Sequence, residues 1–376
     1  MTGLPILSDS RLLRLRLAAQ QLVPDSSPSP ASVEKLLTAI CGVQAQDLLA
    51  AQLSIHARQP GLSLAEIEQA RLESHRLIRT WCMRGTLHLV SAQDARWLVP
   101  LFGSSWIDRD RRRMLELGWT EPLVERGLKL IQEALVRQGS LTREEIIQIL
   151  KSAGLPSEGQ APIHLIGRAA SECLLCQGPD RGKKPTYVSF EAWAGKPEPL
   201  PRQQALSELA RRYLAAYAPA GPRDLASWSG LQLNEARQAW QSLEDRLVPI
   251  QTESGERMWI LPEQQPRLDR SLLEEAPVVR LLPRFDTYLL GYACRDQMVP
   301  SIYAKRINAG GGLIAATLLV DGRILGTWKS QRHGTTLAVT IEPFESLPGT
   351  IMPVLEEQAD GIGRFLGVKG ATLIYP

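Results

Sequence analysis

The chain has 376 residues, which is too long for one ordinary hydrophobic core and predicts two to four domains. A hydrophobic share of 44% is typical of soluble globular proteins. No apolar run reaches the roughly 18 residues that a membrane-spanning helix needs, and the N-terminus lacks the pattern of a secretion signal. Five cysteines, a small and odd number, favour a reducing cytoplasm over secretion.

The net charge of +3 is small for a protein that binds duplex DNA, but a local basic patch can still attract phosphates. One arginine-rich stretch, at 109–113, is interleaved with aspartates, and a solvated helix start explains it equally well. A second cluster holds Arg181, Lys183 and Lys184. We expect this second cluster to contact phosphates, because a predicted hairpin tip contains it.

A pair of glutamines, Gln44 and Gln46, follows an apolar helical pattern near the start of the chain. Residues two positions apart cannot share one face of an α-helix. In an extended segment the same spacing places them side by side, with Val43 and Ala45 facing the other way. Gly42 is a suitable residue for ending the helix before them.

Asp47 directly follows the glutamine pair and has two interpretations. Its carboxylate could act as a general base, and it is a stronger base than an amide. It could also cap the N-terminus of a helix predicted over 48–56, and we favour this cap.

The first two-thirds of the chain predicts one small unit three times: helices, a helix-turn-helix and a two-stranded ribbon. In the first copy, a helix over 64–72 precedes strands over 77–83 and 86–90, which Arg84 and Gly85 separate. The copies share a pattern of elements rather than a sequence.

In the second copy, Thr142 and Glu145 form a capping box that starts a helix. A further helix is predicted over 163–175, and the ribbon after it has its tip at 178–182.

The third copy has the clearest pattern. Pro222 starts a short helix, a turn at 229–231 follows, and a second helix covers 232–243. Strands over 247–252 and 257–261 complete the ribbon. Because a helix-turn-helix followed by a ribbon is a winged helix, we predict three tandem winged-helix domains.

After residue 271 the chain becomes rich in predicted strands, with Asp321 and Gly322 as a tight hairpin turn. The predicted strands are 278–282, 314–320, 323–330, 335–344 and 371–375, with a helix over 351–366. The predicted fold class is therefore α+β, with a C-terminal β-rich domain that braces the winged helices. The predicted domains are 1–118, 119–198 and 199–266 for the winged helices and 267–376 for the β-rich domain.

Cys173 and Cys176 have the spacing of a metal-binding pair, but they lie on a predicted helix among apolar residues. No second pair or histidines at zinc spacing accompany them, so we interpret them as buried structural residues. No phosphate-loop, dinucleotide or iron–sulfur pattern is present either. We therefore expect no metal and no cofactor.

Four stretches, in this order and spacing, resemble the AlkZ-like family of winged-helix DNA glycosylases, which unhook DNA crosslinks. They are 42–47, 81–88, 282–290 and 321–328. The resemblance covers nearly the whole chain and rests on the joint order of the motifs. It implies an open, concave active site between the winged helices. It also implies that Gln44 and Gln46 carry the catalysis.

The chain departs from the family pattern at one place. The family has an Asp-Arg pair about eight residues after the Pro-Arg-Phe-Asp segment, where this chain has Cys294 and Arg295. No role is carried over to this position.

A neutral amide is a poor general base, so the reaction must need little base strength. An N7-alkylated purine meets this condition, because its base is cationic and leaves as a neutral molecule while the sugar becomes oxocarbenium-like. Two glutamine carbonyls can accept hydrogen bonds from a water and orient its attack, and their dipoles can stabilise the developing positive charge.

The residues that we expect to contact DNA come from several motifs. They are Arg84, His88, Arg181, Lys183, Lys184, Arg284 and Asp286. Alternatives remain open for three of them: a histidine on a strand is more often structural, and Arg284 and Asp286 could pair with each other, which is the safer interpretation. Tyr288 and Trp328 are expected in the core.

The sequence thus predicts a monofunctional DNA glycosylase of base excision repair that removes N7-alkylated purines, including bulky adducts and interstrand crosslinks. Its partner is double-stranded DNA carrying alkylation damage. We expect a monomer in the cytoplasm, associated with the nucleoid and not with a membrane. The alternatives are a non-catalytic winged-helix regulator that binds DNA and a scaffold that binds proteins.

Overall fold

The computed structural model describes residues 4–23, 32–269, 277–308, 310 and 312–375. It is a mixed α+β protein whose chain divides into two units. One unit consists of Met1–Ile67 and Leu206–Pro376, and the other of Glu68–Ala205. The first predicted domain, 1–118, contributes to both units, so the division into four domains stays a prediction.

The described helices, in chain order, are α1 (Asp9–Ala19), α2 (Val33–Ala39), α3 (Leu48–Arg58), α4 (Leu64–Leu72), α5 (Ala92–Glu116), α6 (Glu121–Gln138), α7 (Arg143–Ser152), α8 (Ala161–Ser171), α9 (Phe190–Ala194), α10 (Arg202–Tyr217), α11 (Pro222–Ser229), α12 (Leu233–Gln241), α13 (Pro266–Asp269), α14 (Thr287–Leu290), α15 (Ala304–Ile307) and α16 (Met352–Phe365).

The described strands are β1 (Ile6–Leu7), β2 (Val43–Gln44), β3 (Leu77–Trp81), β4 (Leu87–Ser91), β5 (Ser140–Thr142), β6 (Leu175–Gln177), β7 (Thr186–Ser189), β8 (Val248–Thr252), β9 (Arg257–Ile260), β10 (Val279–Leu282), β11 (Thr317–Val320), β12 (Arg323–His333), β13 (Thr336–Pro343) and β14 (Gly370–Ile374).

The unit Glu68–Ala205 contains a sheet in which its strands are ordered β4-β3-β6-β7-β5. Helices α6, α7 and α8 enclose an apolar cluster that includes Trp119, Ile131 and Leu165, all fully buried or nearly so. The predicted capping box is confirmed: the Thr142 hydroxyl accepts a hydrogen bond from the Glu145 N–H, and the Glu145 carboxylate accepts one from the Thr142 N–H.

The predicted helix over 163–175 is too long. Helix α8 ends at Ser171, because Cys173 adopts a left-handed conformation with φ of 56°. The chain then continues as β6, which contains Cys176. Both cysteines are buried free thiols, as predicted, and burial raises the pKa of Cys173 to about 12.

In the other unit, strands β10 to β14 form a five-stranded sheet in sequence order. Asp321 and Gly322 both have positive φ angles and form the predicted hairpin turn between β11 and β12. A Cβ atom on Gly322 would lie 2.6 Å from the Cβ of Leu13, so the turn needs glycine for space as well as for conformation. Strand β14 is the last strand of this sheet and pairs in parallel with β13.

The elements of the third predicted copy are also confirmed. Helices α11 and α12 are separated by Gly230, which has a left-handed conformation, and β8 and β9 pair as an antiparallel ribbon. Strand β1 adds to this ribbon in parallel with β8.

Buried aromatic residues join α10 and α11 to the segment after α14. The Tyr213 hydroxyl donates to the Gly291 carbonyl at 2.7 Å, and the Tyr292 hydroxyl donates to the Tyr217 carbonyl at 3.0 Å. The Trp228 indole donates to the Tyr217 hydroxyl. Because these polar tips are all hydrogen-bonded, the cluster is buried without unsatisfied hydroxyl groups.

Candidate functional site

The Gln44–Gln46 segment lies between the end of α2 and the start of α3. Helix α2 is closed by a hydrogen bond of 2.7 Å from the Gly42 N–H to the Leu37 carbonyl, and Cys41 and Gly42 both have positive φ angles. The chain then extends through β2. The prediction that Gly42 ends the helix before the motif is therefore confirmed.

The two amides differ in exposure. The Gln46 side chain is exposed, whereas Gln44 exposes 7% of its surface and lies between Val43 and Ala45, which are fully buried. The family resemblance implies an open site for both amides, and the burial of Gln44 corrects this expectation for Gln44. The reason is that both faces of the segment are covered at Val43 and Gln44, and the chain reaches the surface only at Gln46.

Asp47 caps helix α3. Its carboxylate accepts a hydrogen bond of 3.1 Å from the Ala50 N–H, and its backbone carbonyl accepts from the Ala51 N–H. This is the geometry of an N-cap aspartate, so the predicted cap is confirmed. The cap fixes the backbone immediately after Gln46.

Helix α3 is anchored at its other end by a buried ion pair. Arg58 donates to both carboxylate oxygens of Asp286, at 2.8 and 2.9 Å, and both side chains are fully buried. The Ser54 hydroxyl donates to Asp286 at 2.6 Å, and Arg58 also donates to the side chains of Gln20 and Thr287. Burial by itself would raise the pKa of Asp286. The Arg58 guanidinium and the other hydrogen-bond donors outweigh this effect, so the pKa lies below its usual value.

This ion pair corrects two expectations. Asp286 does not face nucleic acid, and it does not pair with Arg284. Phe285 has a φ angle of 59°, and the resulting turn leaves Arg284 exposed while Asp286 enters the core as the N-cap of α14. Tyr288 and Trp328 are buried, as predicted.

A cavity of about 520 Å³ lies beside the first turns of α3. We call it the α3 cavity. Helix α3 contributes Asp47, Leu49 and Leu53 to its lining, and Arg284 and Trp328 line it from the C-terminal part of the chain. It also has two further basic residues, Arg306 and Lys329. Since Asp47 is the next residue after Gln46, the cavity opens within one residue of the exposed amide.

His88 is buried, and its Nδ1 lies 2.9 Å from the Thr86 carbonyl. A carbonyl only accepts, so Nδ1 carries the proton. Burial, aided by the Arg84 guanidinium, lowers the pKa of His88 to about 3. The expected contact with a phosphate or a leaving base is corrected, because a buried neutral imidazole with this partner is structural.

The basic cluster at the second ribbon tip is exposed, as a phosphate contact requires. Arg181 forms an ion pair of 2.6 Å with Glu145, and Lys184 lies 3.7 Å from Glu144. Lys183 is exposed and has no ion-pair partner within the described chain. Lys183 is therefore the member of the cluster whose charge is least offset.

The remaining basic candidates have different environments. Arg84 is half-buried in a left-handed conformation. Arg111, Arg112 and Arg113 form exposed ion pairs with acidic residues of their own helix, α5. Such pairs contribute little to stability. They favour a solvated-helix interpretation of this cluster, but the cluster lies near the C-terminal end of α5 and not at a helix start.

Sequence reasoning missed Arg58, Arg306 and Lys329. Arg58 lies at the end of a helix, where an arginine normally reaches solvent, and its partner is 228 residues away in the chain. One sequence offers no signal for a pairing at that separation. Cys294, at the position that departs from the family pattern, is an exposed free thiol.

Two negative findings apply to the described part of the chain. No group of three or more His, Cys, Asp or Glu side chains is arranged to hold a metal ion. Among the same residues, no helix combines the length and the apolar character needed to cross a membrane.

Comparison with known proteins gives consistent matches over nearly the whole chain. The family described as DNA glycosylase AlkZ-like matches residues 37–365. A Streptomyces sahachiroi protein described as an interstrand DNA cross-link repair glycosylase is 28% identical over 379 residues, with 94% of this chain and 95% of that protein covered. The solved structure of the Streptomyces sahachiroi DNA glycosylase AlkZ is 25% identical and aligns with a TM-score of 0.78, covering 99% of this chain and 100% of the other.

Proposed function

The chain belongs to the AlkZ-like DNA glycosylase family, and from this premise we propose that it hydrolyses the N-glycosidic bond of N7-alkylated purines in duplex DNA. The substrates include bulky adducts and interstrand crosslinks, in line with the name of its crosslink-repair relative. The observation that carries the proposal is the exposed Gln46 amide, held between a capped helix start and a strand that contains Gln44.

In the proposed mechanism the chemistry of the lesion supplies most of the driving force. An N7-alkylated purine is already cationic, so it departs with the bonding electron pair as a neutral base and needs no protein acid. Water then adds to the oxocarbenium-like sugar and loses a proton to solvent. The Gln46 carbonyl accepts a hydrogen bond from this water and aims it at the anomeric carbon. We assign to Gln44 a second, more enclosed contact that fixes the direction of attack.

The anchoring of α3 supports this role. The Asp47 cap holds one end of the helix and the Arg58–Asp286 pair holds the other. A water-positioning amide is effective only if it is held close to the productive geometry. We propose that the Pro-Arg-Phe-Asp segment positions the catalytic segment in this way, while its exposed Arg284 contacts DNA.

We further propose that the three predicted winged helices contact the DNA backbone, with Arg84 and the ribbon-tip residues Arg181, Lys183 and Lys184 among the contacts. Backbone contacts of this kind fix register without reading sequence.

The direct test is incubation of the protein with a duplex that carries one N7-methylguanine, followed by alkaline cleavage at abasic sites. A glycosylase converts the lesion strand to cleaved product, and the Gln46→Ala variant does so much more slowly. A wild-type protein that binds the duplex but leaves no abasic site would establish the alternative, a non-catalytic DNA-binding regulator.

A further inference from the structure

The α3 cavity has the size of a ligand site. Its volume of about 520 Å³ lies within the range of roughly 300–1,000 Å³ that is usual for pockets that bind small organic molecules. It is larger than the methyl group of a simple N7 lesion requires. The cavity at the start of α3 therefore has room for a substituent much larger than a methyl group.

The lining of the cavity is mostly apolar, although part of it is open to solvent. Leu53 and Ile314 are buried in its wall, whereas Leu49 exposes 45% and Leu313 exposes 50% of its surface. Single exposed apolar residues are common on protein surfaces. Two large half-exposed apolar side chains that line the same cavity instead indicate a binding surface. The matching ligand group is flat or bulky and apolar.

The charges that line the cavity are mostly positive, which suits a ligand group attached to DNA. Among the described residues, the lining includes Arg284, Arg306 and Lys329 and a single carboxylate, that of Asp47. Within the described chain Arg284 makes no ion pair, and its guanidinium lies 5.4 Å from the ring centroid of Phe285. Lys329 is paired with Glu342 at 2.6 Å. Arg284 therefore remains available for a phosphate next to the ligand.

The position of the cavity links it to the lesion. Gln46 and Leu49 are three residues apart in the chain, which is a span of at most about 10 Å. This matches the reach of a substituent of one or two rings attached to the base that is being released.

We propose that the α3 cavity binds the apolar aromatic substituent carried on N7 of the lesion, so that Leu49 and Leu313 select bulky adducts over N7-methylguanine. This proposal rests on the proposed function for the placement of the lesion at Gln46. It adds a subsite for the part of the adduct that does not react. Binding energy from such a remote group can be used to hold the reacting centre in place.

The test separates binding from catalysis. Duplexes are prepared with N7-methylguanine or N7-benzylguanine on a 2′-fluorinated sugar, because the fluorine slows cleavage and allows dissociation constants to be measured. The wild-type protein is expected to bind the benzyl duplex about tenfold more tightly than the methyl duplex, since the ring enters an apolar cavity.

The double variant Leu49→Gln with Leu313→Gln keeps side-chain size and adds no charge. We expect it to lose this preference while its affinity for the methyl duplex stays within twofold of wild type. Ile374→Gln is the matched control, because Ile374 has a similar exposure of 46% but does not line the cavity, and it should keep the preference. Circular dichroism and thermal unfolding confirm that both variants fold.

Equal binding of the two duplexes by wild type, or a preference that survives in the double variant, would overturn the proposal. Excision of unfluorinated N7-methylguanine is measured in parallel. If the wild-type protein does not excise N7-methylguanine, the proposed function is refuted. The binding preference for the benzyl duplex is then still an independent result.

Discussion

At the scale of single residues, the account rests on the contrast between Gln46 and its neighbours. Gln46 is exposed, Gln44 is buried, and the Asp47 carboxylate is engaged as a helix cap. His88 is not a candidate base in this account, because it is buried, its Nδ1 is engaged with the Thr86 carbonyl, and its lowered pKa makes it a weak base. We therefore assign the positioning of the attacking water to the exposed Gln46 amide.

Gln46→Ala should lower the single-turnover rate of N7-methylguanine excision by about a hundredfold, which is the usual effect of removing a group that positions or stabilises the reacting atoms. Its affinity for the lesion duplex should stay unchanged, because the amide acts on the water and not on the DNA backbone. Quenched-flow excision and fluorescence anisotropy measure the two quantities.

Gln138→Ala, a change at an exposed glutamine at the end of α6, is the control and should keep the wild-type rate. A Gln46→Ala variant with wild-type excision would remove this residue from the mechanism.

Individual residues also show how far sequence could predict the site. The spacing of Gln44 and Gln46 predicted an extended segment, and Asp47 was predicted as a cap because that choice depends only on local chemistry. The burial of Gln44 was not predictable, since it depends on what covers the second face of β2. The roles of Arg284 and Asp286 diverged because Phe285 is a non-glycine residue in a left-handed conformation, which sequence patterns rarely reveal.

At the scale of elements, helix α3 contributes both to the stability of the fold and to the position of the Gln44–Gln46 segment. Its N-terminus follows the proposed catalytic segment, and its C-terminus is held by the buried Arg58–Asp286 pair. Removing one partner of a buried ion pair leaves the other charge buried without compensation. The resulting loss in the free energy of unfolding is much larger than the net contribution of the intact pair.

Arg58→Met should therefore lower the free energy of unfolding by about 3–5 kcal/mol at pH 7. Urea denaturation monitored by circular dichroism measures the change. Because the Asp286 carboxyl in this variant is buried without its guanidinium, desolvation raises its pKa and it becomes neutral more easily. The deficit of Arg58→Met relative to wild type should shrink as the pH falls from 7 to 4.5.

The wild-type protein should show the opposite dependence. The pKa of Asp286 is lowered in the folded state, so its contribution to stability is fully present above the unfolded-state pKa of about 3.9 and is lost as the pH falls through the folded-state pKa. Combining Arg58→Met with Asp286→Asn should recover part of the loss at pH 7. A deficit that is independent of pH and unchanged by Asp286→Asn would contradict the assigned pairing.

Sequence patterns predicted the elements better than their contacts. Helix α4, the third helix-turn-helix and the hairpin at Asp321–Gly322 follow from periodicity, proline and glycine positions and turn residues, all of which act locally. The end of α8 was missed because Cys173 takes the left-handed position that a glycine or asparagine normally marks.

At the scale of the whole molecule, a net charge of +3 requires that affinity for DNA comes from local contacts rather than from the overall field. Lys183 is the most direct candidate at the second ribbon tip, because its neighbours Arg181 and Lys184 have acidic partners.

Lys183→Gln should weaken binding to any duplex, with or without a lesion, and should reduce the slope of log affinity against log salt concentration by about 0.9. Anisotropy titrations at several salt concentrations measure this slope. Lys369→Gln, which removes an exposed lysine outside the predicted contact set, should leave the slope unchanged. An unaltered slope in Lys183→Gln would show that the second ribbon tip does not contact phosphates.

The claim most in need of a test is that uncharged amides, and not the adjacent carboxylate, position the water. Asp47→Asn separates the two, because asparagine caps a helix as well as aspartate does but cannot act as a carboxylate base.

The decisive measurement is the single-turnover excision rate of N7-methylguanine by Asp47→Asn relative to wild type at pH 7. Our account predicts a rate within about twofold, since the cap and both glutamines remain. A fall of about a hundredfold, the size expected for loss of a general base, in a variant with wild-type stability would contradict it.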